Sequence, residues 1–131
     1  MHNENTKRSV STFVELEIDR VNLNESTILA FEFANEGLDL DIKIDWCGQK
    51  QFERVVDFFR PAYLKCTWVH HLRMHVVFPG NTYSWEIGEF DVERSENEST
   101  VRFQFINHPV GELAFVAADV KFLAHSHEAQ Q

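Results

Sequence analysis

The sequence lacks the markers of several common protein classes. Its only two cysteines, Cys47 and Cys66, are too few for a disulfide framework and do not form the CxxC pair of a structural zinc site. The first residues, MHNENTKRSVST, lack the apolar stretch of a signal peptide, and no run of about 18 apolar residues that could cross a membrane occurs. These absences predict a soluble, cytoplasmic protein that folds without disulfides.

Basic residues are also scarce. The chain has 12 lysines and arginines against 21 aspartates and glutamates, so its formal net charge is −9. The electrostatic field of such a negative charge repels phosphate backbones and anionic membrane surfaces, which argues against nucleic acid and membrane as partners. A basic protein is the kind of partner that this charge attracts, although surplus acid also serves simply to keep a small protein in solution.

Motifs of catalysis and cofactor binding are missing as well. The chain contains no GxSxG, P-loop or GxGxxG sequence, and no spacing among its carboxylates singles out a catalytic pair. The sequence therefore favours a non-enzymatic role and predicts neither a cofactor nor a metal site.

What the chain does have is material for a hydrophobic core. It is 131 residues long and contains 12 phenylalanines and 3 tryptophans. Each phenylalanine contributes roughly 1.5 to 3 kcal/mol when it is fully buried, and a chain of this length buries enough surface to fold as one unit. We predict a single domain over residues 12–124, with flexible tails at 1–11 and 125–131.

Apolar and polar residues alternate through most of this domain. The segment LDLDIKIDW is the clearest case, with one apolar face formed by Leu38, Leu40, Ile42, Ile44 and Trp46. This period of two is typical of half-buried strands, and turns such as NEG and PGN separate them at intervals of about ten residues. The pattern predicts a mainly β fold, an antiparallel sandwich or strongly curled sheet of about seven strands.

One segment has the period of a helix instead. Between residues 49 and 60, apolar side chains recur at positions i, i+3, i+4 and i+7, namely Phe52, Val55, Val56 and Phe59. Pro61 would end the segment, because proline cannot continue a helix. We predict one short helix over residues 49–60 that packs on one face of the sheet.

The stretch CTWVHHLRMHVVFPGN contains three histidines and a cysteine but has the period of a strand. Its even positions are mostly apolar, with His70 as the exception, and its odd positions carry the polar row His71, Arg73 and His75. Residues four apart on a strand are about 13 Å apart, so His71 and His75 cannot share a metal ion. For the same reason Cys66 and His70 cannot form a nucleophile and base pair. We predict that Cys66 and His70 face the core.

The row of His71, Arg73 and His75 is one candidate for partner binding. It is either a solvent-facing row that pairs across strands with acids such as Glu86 or Asp91, or a recognition surface that contacts a partner or a small anion.

A second candidate set is acidic. One strand carries Glu15, Glu17 and Asp19, and another carries Asp39, Asp41 and Asp45. If these strands were neighbours, each pair of facing like charges would cost a few tenths to about 1 kcal/mol. Either another strand separates them, or they form a negative patch that a basic partner neutralises.

The last part of the chain carries a family resemblance. The run VVFPGNTYSWEIGEFDVERSENESTVRFQFINHPVGELAFVAADVKFLA, from Val76 to Ala124, has an apolar strand ending in a turn, then a strand with a central aromatic residue, then a final pair closing on L-x-F-x-A-x-x-V. In this pattern it resembles the closing hairpins of small β-rich immunity proteins from bacterial polymorphic-toxin systems. The resemblance implies a cytoplasmic inhibitor that binds one toxin domain tightly and has no catalysis of its own.

These features together predict a non-enzymatic, acidic, cytoplasmic protein-binding domain, of the immunity type that inhibits a basic toxin domain. The alternative is a small-molecule-binding or enzymatic domain, whose pocket would lie between the helix and the sheet and contain His70 and Cys66.

Overall fold

A computed structural model describes residues 13–47, 60–81 and 84–125, and these residues form an almost purely β structure. A short 3-10 helix, Ile18–Arg20, follows the first strand. The described ranges contain nine strands: β1 (Phe13–Leu16), β2 (Thr27–Ala34), β3 (Asp39–Trp46), β4 (Arg60–Thr67), β5 (His70–Val77), β6 (Trp85–Arg94), β7 (Ser99–Ile106), β8 (Val110–Ala117) and β9 (Asp119–His125).

These strands form one antiparallel sheet in the order β1-β9-β4-β3-β2-β6-β7-β8-β5. The sheet is not closed, and β1 and β5 are its two edges. Its first half runs from β1 to β2 and its second half from β6 to β5. The halves are joined where Thr27 and Ile28 of β2 pair with Glu86 and Trp85 of β6. The prediction of a mainly β, antiparallel fold is confirmed.

Two breaks explain why there are nine strands where the sequence predicts about seven. The long strand around the histidines is divided into β4 and β5 at Trp68 and Val69, and Trp68 has a positive φ of 57°. The last strand is divided into β8 and β9 at Ala118. The Ala118 amide donates a 2.8 Å hydrogen bond to the Thr67 carbonyl, so the two breaks lie side by side. Both strands therefore pass between the halves of the sheet at one corner.

Alternation places the core largely where the sequence predicts it. Leu40, Ile42 and Ile44 of β3 are completely buried, whereas the residues between them are only partly covered. Phe103 of β7 and Phe122 of β9 are buried in the same way. The buried side chains of both halves form a single cluster, so the core lies between the two inner faces.

Gly88 lies at a change of phase in β6. The register with β7 shifts between Ile87 and Glu89, as expected for a β-bulge, and Phe90 stays on the inner side. A Cβ atom on residue 88 would collide with Cγ2 of Ile106 on the neighbouring strand. The missing side chain therefore lets β6 and β7 approach closely at this point.

Three predicted segments lie outside the described residues, one of them completely and two of them except for a single residue. They are the helix at 49–60 and the tails at 1–11 and 125–131. The exceptions are Arg60, which begins β4, and His125, which ends β9 and is buried. No helix in the ranges that the structure describes is long and apolar enough to cross a membrane.

Candidate protein-binding face

Exposed apolar side chains are concentrated at the edge strand β5. Of the twelve large apolar residues that are exposed in the described ranges, seven lie in β5, within two residues of it in the chain, or on β8 and β7, the next two strands of the sheet. A concentration of apolar surface along a sheet edge is typical of an interaction site. We call this set the β5 edge patch; it consists of Trp68, Leu72, Met74, Val77, Phe78, Ile106 and Val110.

Part of the β5 edge patch is a row that crosses three strands. Ile106 of β7 lies opposite Val110 of β8, and Val110 lies opposite Val77 of β5. Their exposed fractions are 57, 47 and 67 %. Facing residues on one side of a sheet have Cβ atoms about 4.5 to 5.5 Å apart. The three side chains therefore form a continuous apolar row on the outer face of the second half.

An acidic groove lies beside this apolar row. The next row across the strands is Glu89 of β6, Gln104 of β7, Glu112 of β8 and His75 of β5. Since neighbouring strands are about 4.8 Å apart, Glu89 and Glu112 are separated by about 10 Å. The groove that they border has a volume of about 500 Å³, and we call it the acidic groove; it is lined by Asn24, Glu89, Phe90, Asp91, Arg102, Gln104 and Glu112.

Arg102 is the basic side chain in the lining of the acidic groove, and it already has acidic partners. Its Nη1 atom lies 3.5 Å from a carboxylate oxygen of Asp91 and 3.5 Å from one of Glu93. All three side chains are at least half exposed, so each pair contributes little to stability. Glu89, Asp91 and Glu112 outnumber the single arginine, which makes the groove negative and attractive to a basic side chain.

The predicted polar row of β5 is only partly assembled. Arg73 and His75 do lie on the outer face, as predicted. His75 lies opposite Glu112, rather than opposite Glu86 or Asp91 as the sequence suggested. A small depression beside the acidic groove is bordered by Arg73, His75 and Glu112. Arg73 and His75 therefore extend the polar surface of the outer face to the edge of the sheet.

His70 and His71 depart from the predicted strand. A β-bulge lies between His70 and Arg73, and His71 has a left-handed φ of 54°. This resets the alternation, so His70 lies opposite Val116 on the outer face with its side chain 46 % exposed. The prediction that His70 faces the core is wrong. Met74 keeps its inward direction opposite a core residue but stays 38 % exposed, because β8 is the only described strand that pairs with β5.

The two acidic rows predicted from the sequence are separated. Strands β9 and β4 lie between β1, which carries Glu15, and β3, which carries Asp41. Lys65 of β4 faces Asp41, and the distance from its Nζ atom to Asp41 Oδ2 is 2.9 Å. Of the two alternatives that the sequence left open, the separation by other strands holds.

The other predicted acids have local surroundings of their own. The Asp39 carboxylate accepts a 3.1 Å hydrogen bond from the Trp68 amide, and Glu17 lies 3.4 Å from Arg20. Partial burial raises the pKa of Asp45 above its ordinary value. Their use in partner binding, like that of Glu15 and Asp41, stays a prediction.

Cys66 is in the core, as predicted, with 1 % of its surface exposed. Burial, with a smaller contribution from the charges of Asp41 and Asp119, raises the pKa of its thiol far above the ordinary value. Such a thiol is not a nucleophile at neutral pH. Since His70 is on the outer face, the two residues do not meet. Within the described ranges, no group of three or more histidine, cysteine, aspartate or glutamate side chains is arranged to hold a metal ion.

Sequence reasoning missed both the outer apolar row and the acidic groove. One signal was present: Val77 is apolar at a position where alternation predicts a polar residue. Nothing in the sequence shows that Ile106 and Val110 lie beside it, or that Glu89 and Glu112 border one groove. Those neighbours depend on the strand order.

Comparison with known proteins finds no family model and no curated relative that matches the chain. The structure is similar to a crystal structure of an uncharacterized protein from Neisseria gonorrhoeae, with a TM-score of 0.55 and 10 % sequence identity. The similarity covers 85 % of this chain and 96 % of that chain. At this identity the similarity concerns the fold alone.

Proposed function

We propose that the protein is a non-enzymatic binding domain for a basic protein, and that the outer face of β6, β7, β8 and β5 is its interface. The observation that supports this most strongly is the outer apolar row of the β5 edge patch, Val77, Val110 and Ile106, which lies beside the acidic groove. Protein interfaces have this composition, with an apolar centre that drives association and a polar surround that selects the partner.

The charge of the domain supports a basic partner. The described ranges carry 17 acidic and 8 basic side chains, so the entire net charge of −9 lies on this β structure. A negative surface accelerates the approach of a basic protein, and the groove gives a lysine or arginine side chain a place between Glu89 and Glu112. Val77 and Val110 would then be covered by the partner.

Within this proposal, we favour an immunity-type inhibitor that acts in the cytoplasm against a basic toxin domain. This assignment depends on the resemblance of the run from Val76 to Ala124, which includes β6 to β9 and most of the proposed interface. An inhibitor needs a surface and no catalytic group, and the outer face is open and shallow. Immunity proteins are encoded beside their toxins, so the neighbouring genes supply the partner to be tested.

The test is a binding measurement between the full chain and an inactive form of the toxin domain encoded beside it. Isothermal titration calorimetry should show a complex that weakens as salt rises from about 50 mM to about 300 mM, because salt screens exposed charges. Glu112→Gln and Val77→Asp should each raise the Kd by about tenfold, which corresponds to about 1.4 kcal/mol. Thermal unfolding of each variant checks that the exposed substitutions leave the fold intact.

Glu32→Gln is the matched control, because it also replaces an exposed acid by its amide. Glu32 lies opposite Asp41 on the outer face of the first half. This substitution should leave the Kd unchanged. If Glu112→Gln and Val77→Asp bind as the unchanged chain does while Glu32→Gln weakens binding, the interface is on the first half instead. If no neighbouring gene product binds, the immunity assignment is wrong.

A further inference from the structure

The two adjacent histidines at the start of β5 bring their rings together. In a regular strand neighbouring side chains point to opposite faces. The left-handed backbone of His71, inside the bulge, breaks this alternation. As a result, Nδ1 of His70 lies 2.9 Å from Nδ1 of His71, with ring centroids 4.8 Å apart and ring planes inclined by 68°.

The contact between these two nitrogens is a hydrogen bond, so one of the two Nδ1 atoms carries a proton while no metal is bound. Its length is also that of two ligands on one metal ion, and the donating ring would carry its proton on Nε2 instead when the metal binds. With metal–nitrogen bonds of about 2.0 to 2.1 Å, two ligands at a right angle are about 2.9 Å apart, and two tetrahedral ligands are about 3.3 Å apart. A small rotation of either ring in the His70–His71 pair covers this range. Imidazole nitrogen is a ligand that Cu²⁺, Ni²⁺ and Zn²⁺ bind well, and the right-angled arrangement suits Cu²⁺ and Ni²⁺.

Glu98 is placed to orient the first ring. Its Oε1 atom lies 3.7 Å from Nε2 of His70, the nitrogen that does not face His71. Histidine ligands commonly donate their second N–H to a carboxylate, which fixes the tautomer and makes the ligand nitrogen more basic. At 3.7 Å the two atoms are just beyond hydrogen-bond distance. A slightly closer approach of Glu98 when the metal binds would let its carboxylate accept a hydrogen bond from Nε2, which holds the proton on that atom and leaves the lone pair of Nδ1 for the metal.

We propose that His70 and His71 bind one late first-row divalent metal ion, Cu²⁺, Ni²⁺ or Zn²⁺, through their Nδ1 atoms, with Glu98 as the orienting carboxylate. The chain supplies two ligands, and water completes the coordination. With the His70 side chain 46 % exposed, the ion reaches the site without any opening of the fold. Cu²⁺ should bind most tightly, in keeping with the general order of stability of divalent complexes.

The test uses the full chain without an affinity tag, titrated with NiCl₂ and with ZnCl₂ and followed by calorimetry. One ion should bind per chain at this site. His70→Gln and His71→Gln should each weaken binding by at least about tenfold, and Glu98→Gln should weaken it by about tenfold, as is common when the carboxylate behind a histidine ligand is lost. His75→Gln is the matched control on the same strand and should bind as the unchanged chain does.

A second measurement locates the ion in the unchanged protein, independently of any variant. Paramagnetic Ni²⁺ should broaden the amide signals of His70, His71 and Glu98 in a nitrogen–proton correlation spectrum before any others. The sequence also contains the HxH pair His125 and His127, so His127→Gln is examined in parallel and should change nothing. The proposal is overturned if binding is lost with His127→Gln, if His70→Gln and His71→Gln bind normally, or if neither metal binds at all.

Discussion

Gly111 of β8 lies directly opposite Val76 of β5, and a side chain on residue 111 would overlap the β5 backbone. Its φ is +146°, and a Cβ atom there would be 2.7 Å from the Val76 Cα atom and would also collide with the His75 carbonyl. We expect Gly111→Ala to lower the free energy of unfolding by about 3 kcal/mol, because backbone cannot move aside as a side chain can. Urea unfolding measures this loss.

Gly37→Ala is the control for backbone strain. Gly37 also has a positive φ, +89°, but an added Cβ would meet no atom within 4 Å. That substitution should cost only about 1 kcal/mol, the usual cost of a left-handed residue with a side chain. Hydrogen exchange should show that Gly111→Ala exposes the amides of β5 first. If the two variants lose equal free energy of unfolding, the close approach of β8 and β5 does not require glycine at position 111.

Ser26 is completely buried, and its hydroxyl oxygen accepts a 2.8 Å hydrogen bond from the Cys47 amide. Ser26→Ala removes this acceptor without adding volume. We expect a loss of about 1 to 3 kcal/mol in urea unfolding, the range found when a buried partner loses its hydrogen bond. Ser95→Ala, which removes an exposed hydroxyl bonded to the Glu98 carbonyl, should change stability by less than about 0.5 kcal/mol. A Ser26→Ala value as small as that of Ser95→Ala would contradict the prediction.

Alternation predicts on which side of a strand each residue lies. This prediction holds where the structure depends only on residues that are neighbours in the chain. The buried row of β3 was predicted from the sequence and is confirmed. The two extra strands come from the corner at Thr67 and Ala118, where a contact between distant parts of the chain breaks both strands at once.

Alternation does not predict whether a face is covered. Leu72 and Met74 have the pattern of core residues, yet they are 39 and 38 % exposed because β5 is an edge. The left-handed conformation of His71 breaks the alternation outright. The acidic groove and the outer apolar row could not be predicted for a related reason: they join residues of four strands whose order the sequence does not state.

The Cys66 thiol should make stability depend on pH in the alkaline range. Its pKa is raised in the folded state, mainly by burial, so the folded chain keeps a proton that the unfolded chain releases above about pH 8.5. The free energy of unfolding should therefore be unaffected by this group below that pH and fall above it, by up to about 1.4 kcal/mol per pH unit. Urea unfolding of the protein and of Cys66→Ala should give curves that run parallel up to about pH 8 and converge above it. If the two curves stay parallel at every pH, the thiol has the same pKa in the folded and the unfolded chain.

Arg102→Gln should tighten the binding of a basic partner, in the opposite direction to Glu112→Gln. Arg102 lies 3.5 Å from Asp91 and from Glu93, so its removal frees the Asp91 carboxylate, which lines the acidic groove, and the carboxylate of Glu93 beyond the lining. Stability should fall by less than about 1 kcal/mol, because these pairs are exposed. The Kd should fall by about threefold to tenfold at low salt, and the gain should disappear as salt screens the groove.

Arg94→Gln separates this local effect from net charge. It changes the charge of the chain by the same amount, but Arg94 faces Asp19 at 3.8 Å and does not line the groove. Its effect on the Kd, measured by the same calorimetry, should be clearly smaller than that of Arg102→Gln. If both variants tighten binding equally, the partner responds to the overall field of the protein, and the groove between Glu89 and Glu112 is not where its basic side chain lies.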